Sequence, residues 1–170
     1  MKFKLFIIFV LICLSCPAWA ATYYVKNGGN DSLDGLSDST AWASIAKVGA
    51  TVISGDTVYF RSQDTWTNAS RGAVLVPTAG VTYLGTGYGS GTRAKFLAGR
   101  SASGGYYGVI DITVSNVTIS GFEVDGNYAS NSYNNDGIAM GWSGGDISGI
   151  TINNCVVHNT GLPHGGWGYG

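Results

Sequence analysis

Two stretches of eleven residues, thirty-three positions apart, carry the same apolar pattern: VTISGFEVDGN at 117–127 and ITINNCVVHNT at 150–160. In both, positions 1, 3, 6 and 8 are apolar, namely Val117, Ile119, Phe122 and Val124, then Ile150, Ile152, Cys155 and Val157. Alternation over three residues, a two-residue corner, and alternation over three more turns the same side chains inward in each copy. A sandwich of hairpins does not require such a repeat. A solenoid does, because each residue must lie on its counterpart one turn away, at about 4.8 Å. The pattern therefore predicts an all-β chain wound as a β-solenoid. An offset of thirty-three exceeds a minimal coil of roughly 20–25 residues, and the surplus falls on YASNSYNND at 128–136, read as a lateral loop.

The rest of the chain suits that reading. Short β-branched or aromatic runs predict strands at 22–25, 57–60, 73–76, 81–84, 95–97, 109–112, 117–119, 122–124, 137–140, 150–152 and 155–157. Twenty-seven glycines and only three prolines supply tight turns between them. One helix is expected near the start, capped by Asp38, Ser39 or Thr40, with Trp42, Ile45, Ala46 and Gly49 on one face and Gly49 ending it. Its expected task is to cover the open end of the strand stack, whose unpaired backbone groups otherwise invite association.

Lys2 and Lys4, the apolar run at 5–14 and the small-residue site Ala18-Trp19-Ala20 form the three parts of a secretory leader, with cleavage expected after Ala20. A lipoprotein signal at Cys16 is disfavoured, because Cys13 stands three positions upstream, where such a signal usually has an aliphatic residue. Residues 1–20 are thus read as leader, 21–54 as strand, turn and capping helix, and 55–170 as opening coils, with further coils expected beyond Gly170. The expected location is secreted or periplasmic. Losing Lys2 and Lys4 leaves seven basic residues against ten acidic ones. That balance gives no electrostatic reason for a nucleic-acid partner. No later apolar run is long enough to span a membrane. Cys155 remains the one cysteine after the leader, so no internal disulfide is possible; its inward position predicts a buried, inert thiol.

The segment YYVKNGGNDSLDGLSDSTAWASIAKV at 23–48, then GDTVYF at 55–60, VTYLGTGYGSG at 81–91 and the repeat together resemble the N-terminal part of right-handed parallel β-helix proteins of the pectate-lyase-like superfamily. The resemblance spans essentially the whole chain after the leader. It implies a fold more than an activity, since that superfamily holds uronate lyases, polygalacturonases, epimerases and non-catalytic members. The expectation it carries is an extracellular acidic polysaccharide as partner and a uronate lyase as reaction class. The alternatives are a non-catalytic adhesive solenoid and a hydrolase of polygalacturonase type.

The repeat register places Asp125 and His158 over one another, facing outward, where they could bind an anionic sugar or pass a proton, or form a solvated stack. Glu123 and Asp125, both outward, are the candidate metal pair, and calcium is the cation that the lyase resemblance implies. The run at 134–138, with Asn134, Asn135 and Asp136, resembles the start of a polygalacturonase site, but no Asp-Asp pair follows; His164-Gly165 echoes a later element. Tyr128, Tyr133, Trp142, Trp167 and Tyr169 could offer ring faces to sugars. Arg93, Lys95 and Arg100 gather basic charge; in lyases of this kind an arginine or lysine removes the proton beside the uronate carboxylate. Asn30, Ser32, Asp34 and Gly35 open like a calcium loop, but Ala41 stands where the bidentate glutamate belongs, so the segment reads as a turn.

Overall fold

The structure, a computed structural model, describes residues 19–68, 73–99, 107–127, 135–140 and 145–160, with Tyr107 and Asn135 described by their backbone alone. Residues 1–18 of the expected leader, Arg100, Tyr128, Tyr133, Asn134, Trp142, His164, Trp167 and Tyr169 lie outside the described residues. Eleven strands are described: β1 (Thr22–Val25), β2 (Thr57–Phe60), β3 (Thr65–Thr67), β4 (Thr82–Leu84), β5 (Ala94–Leu97), β6 (Tyr107–Ile112), β7 (Thr118–Ser120), β8 (Phe122–Asp125), β9 (Asn135–Met140), β10 (Thr151–Asn153) and β11 (Val156–His158). They form three parallel sheets, ordered β1-β2-β4-β7-β10, β11-β8-β5-β3 and β6-β9. From β2 onward successive strands fall in different sheets, so neighbours within a sheet come from successive passes rather than from hairpins. Parallel pairing cannot be made by a tight turn, and it needs such crossovers.

The predicted register holds. Ile119 pairs with Ile152, and Val124 with Val157. Tyr83, Ile119, Phe96, Phe122 and Val124 are fully buried, forming a continuous core with Phe60, Trp66 and Ile110. Aromatic rings dominate its middle: Phe96 stacks on Phe122 at 4.6 Å between centroids, and Phe60 meets Trp66, Phe96 and Phe122 edge-on at 5.0, 5.3 and 5.6 Å. On the outer side of the first sheet, Thr22, Thr57, Thr82, Thr118 and Thr151 fall in one ladder, a repetition well suited to pleated strands. The corner between β7 and β8 turns through Gly121 at φ 77°, and its counterpart between β10 and β11 through Asn154 at φ 49°. A left-handed corner explains why glycine in one copy aligns with asparagine in the other.

Three expectations need correction, and one strand was not anticipated. The helix runs over Ile45–Thr51 (α1), with Ser44 as its cap; Asp38–Thr40 is a separate turn of 3-10 helix and Gly49 lies inside α1 rather than ending it. The cause is Asp31, whose carboxylate accepts from Ala43 N, Ser44 N and Ser44 Oγ at 2.8, 3.0 and 2.6 Å and so forces the chain to turn between the two helical pieces. The run 73–76 is no strand: only Leu75 bridges, to Ile110. Thr65–Thr67, which was not anticipated because its one apolar residue gives no alternation to read, pairs with β5 through Trp66 and Phe96. Asn135 and Asp136 open β9 instead of closing a loop, so part of the surplus between repeats is a third sheet.

The segment around α1 does cover the edge strands at its end of the sheets. Trp42 bridges to Val25 of β1 and stacks on Tyr23 at 4.4 Å, the Trp66 indole of β3 donates to Ala43 O at 3.3 Å, and Val48 and Val52 enter the core. At the other end, the inward residues Ile152 and Val157 are 37% and 45% exposed. The segment predicted as a turn is one: Asn30 Oδ1 accepts from Ser32 N, and Asp34 Oδ1 from Leu36 N, both at 3.0 Å. Among the described residues, no helix is long and apolar enough to cross a membrane.

Candidate functional site

Three neighbouring strands of the second sheet, β5, β8 and β11, bring ionisable side chains together on their outer face. Lys95 pairs in register with Glu123, which pairs with Val156; Leu97 pairs with Asp125, which pairs with His158. Alternation makes this inevitable once Phe96, Val124 and Val157 point inward, because the residues on either side of each must point out. Lys95 Nζ lies 3.1 Å from Glu123 Oε1 and 2.7 Å from Asp125 Oδ2. His158 Nε2 is 3.0 Å from Glu123 Oε1, and its Nδ1 is 4.0 Å from Asp125 Oδ1.

The stack of Asp125 and His158 is therefore real, but the closer partner of the imidazole is Glu123. Asp125, though outward, is buried to 6% exposure. Its Oδ1 also accepts from Asn127 N at 2.9 Å and from Asn159 Nδ2 at 3.0 Å. Lys95 has its pKa raised, foremost by its hydrogen bond to Asp125. The same ammonium, followed by His158, holds Glu123 below the ordinary carboxylate range. For Asp125, burial opposes ionisation, yet the hydrogen bonds from Lys95, Asn127 and Asn159 outweigh it and hold the pKa down.

One ligand atom each from Glu123, Asp125 and His158 lies within 4.8 Å of the others, a spacing that a metal ion could draw together. A calcium ion held by Glu123 and Asp125 would have to displace the Lys95 ammonium, and it would gather six to eight oxygens where the third donor here is an imidazole. As folded, the two carboxylates share a cation that the chain itself provides.

The other candidates separate from this cluster. Arg93 turns to the corner, donating to Asn154 O at 3.2 Å and Asn154 Oδ1 at 2.8 Å, so the basic trio divides. Asp136 is exposed in β9 of the third sheet, opposite Gly108. Among the described residues no hydrogen bond or ion pair joins it to Lys95, Glu123, Asp125 or His158. Cys155 is half-buried at the edge of the core, its Sγ donating to Asn153 O at 3.2 Å. Asp111 of β6 was missed: its Oδ1 is buried without a hydrogen-bond partner, and burial pushes its carboxyl up. Lys95 as partner of Glu123 and Asp125 was also missed, since it stands twenty-eight residues from Glu123, off the thirty-three-residue repeat.

Comparison with known proteins returned no matching family model, no similar curated protein and no similar solved structure. The geometry of the second sheet's outer face therefore carries the functional reading.

Proposed function

We propose that this is an exported protein, its leader cleaved after Ala20, whose sheets are the opening coils of a right-handed parallel β-helix. We further propose that the outer face of its second sheet binds and processes an acidic polysaccharide, with uronate lysis as the reaction. The observation that carries this reading is the gathering of Lys95, Glu123, Asp125 and His158 on one wall, across three successive strands. Lysis removes the proton beside the uronate carboxylate and expels the glycosidic oxygen, leaving an unsaturated sugar. It calls for positive charge against the carboxylate and a base beside it. Lys95, steadied by two carboxylates, supplies the charge, and the half-exposed imidazole of His158 supplies the base. Calcium enters this reading only by displacing Lys95.

A second reading, a non-catalytic solenoid that presents its walls to carbohydrate, draws on a different aspect of the same cluster: each of its charged groups already has a partner within it. The test is to incubate the protein with pectate, alginate and chondroitin, with and without calcium, and follow the ultraviolet absorbance of unsaturated product. Product is expected from at least one polymer, with turnover falling roughly 10²- to 10³-fold in Lys95→Met. Binding to a polymer without any absorbance would favour the non-catalytic solenoid and end the lyase reading.

A further inference from the structure

Three aspartates are buried among the described residues, Asp56, Asp64 and Asp125, at 2%, 7% and 6% exposure. A carboxylate taken out of water needs a countercharge or a full set of donors. Asp64 has Arg61, whose Nε and Nη2 donate at 2.8 and 2.9 Å, and Asp125 has Lys95. Asp56, the most buried of the three, has no cationic side chain in contact among the described residues. Its partners are two backbone amides, Ala21 N on Oδ1 and Ile53 N on Oδ2, both at 2.8 Å.

Ala21 is the residue that cleavage after Ala20 would place first in the chain. Its carbonyl already accepts from Thr57 N at 2.9 Å, so the residue is fixed in register just ahead of β1. On the leaving side, Ala20 is exposed and Trp19 is 83% exposed, outside the packing.

We propose that leader removal supplies the missing cation, the α-ammonium of Ala21 forming a buried ion pair with Asp56 that locks β1 onto β2. The proposal rests on the export reading above. A leader peptidase uses one water to break the Ala20–Ala21 amide: the oxygen joins the Ala20 carboxylate, and the Ala21 nitrogen takes up protons to become an ammonium. That nitrogen already lies at hydrogen-bond distance from Asp56, so the amide contact becomes a charged one without movement of the strand. Asp56 thus serves as a sensor of the processed N-terminus.

The experiment compares the thermal unfolding of three forms of the processed chain: with Ala21 free, with Ala21 acetylated, and with one glycine added before Ala21. The added glycine keeps an ammonium but moves it one residue away. The free form is expected to melt roughly 3–6 °C above the other two, and the three are expected to converge in Asp56→Asn. Equal melting of the free and glycine-extended forms overturns the proposal, even if Asp56→Asn fails to fold; so does a gap that persists in Asp56→Asn. N-terminal sequencing of the exported protein tests the leader separately. A start at Ala21 supports the cleavage step. A start elsewhere overturns that step, and retention of the intact chain inside the cell overturns the export reading, while the melting comparison still judges the ion pair.

Discussion

Replacing Phe96 with alanine is expected to cost about 3–5 kcal/mol and to lower the melting midpoint by roughly 10 °C. Phe96 is fully buried in the centre of the second sheet. It stacks on Phe122 at 4.6 Å and meets Phe60 and Trp66 edge-on at 5.3 and 6.3 Å, so one ring joins residues from three passes of the chain. Removing it strands aromatic faces that no other side chain can fill without moving a strand. Val157 lies in the same inward column, beyond Val124, but is 45% exposed. Its replacement by alanine should cost under about 1 kcal/mol. Calorimetry of the two variants checks the pair, and equal losses would mean that the column is not a shared interior.

The second large effect is expected from Lys95→Met, which keeps the aliphatic stem and removes the charge. Breaking a fully buried ion pair costs about 3–5 kcal/mol, but Lys95 and Glu123 retain 27% and 35% exposure, so about 1–3 kcal/mol is the reasonable scale here. The pH dependence follows from the directions of the shifts. Glu123 and Asp125 are held below their ordinary values, so their contribution is present above the unfolded carboxylate range and is lost as pH falls through the folded values. Lys95 is raised, so its contribution is present below the unfolded lysine value and is lost as pH climbs through the folded one. The difference between the natural chain and the methionine variant should therefore be widest near neutrality and close at both extremes. Urea midpoints measured across pH give the curve, and a difference that does not vary with pH would contradict the ion-pair account.

How much of this was legible in the sequence depends on whether a signal repeats. Ile119 over Ile152 and Phe122 over Cys155 could be read because both copies keep the same alternation and corner, and the burial of Ile119 and Phe122 follows directly. The threonine ladder was equally present, at Thr22, Thr57, Thr82, Thr118 and Thr151, but its unequal spacings hide it from any search at one period. The helix was misplaced because Asp38, Ser39 and Thr40 are good capping residues, whereas the decisive contact comes from Asp31, whose carboxylate reaches twelve and thirteen residues ahead. At the site, the outward direction of Glu123, Asp125 and His158 followed from alternation. Their link to Lys95 did not, because the pass between β5 and β8 differs in length from the pass between β8 and β11. Nor does local pattern betray the burial of Asp125, which depends on Lys95, Asn127 and Asn159 closing over it.

Amide-resolved nuclear Overhauser spectra of the protein address the winding itself. Parallel rungs predict cross-peaks between the strands at 118–120 and 151–153 in constant register, Ile119 with Ile152, together with contacts joining Val124 to Val157. Cross-peaks pairing 118–120 with 122–125 as an antiparallel hairpin, or a register in which Ile119 and Ile152 fail to meet, would contradict it.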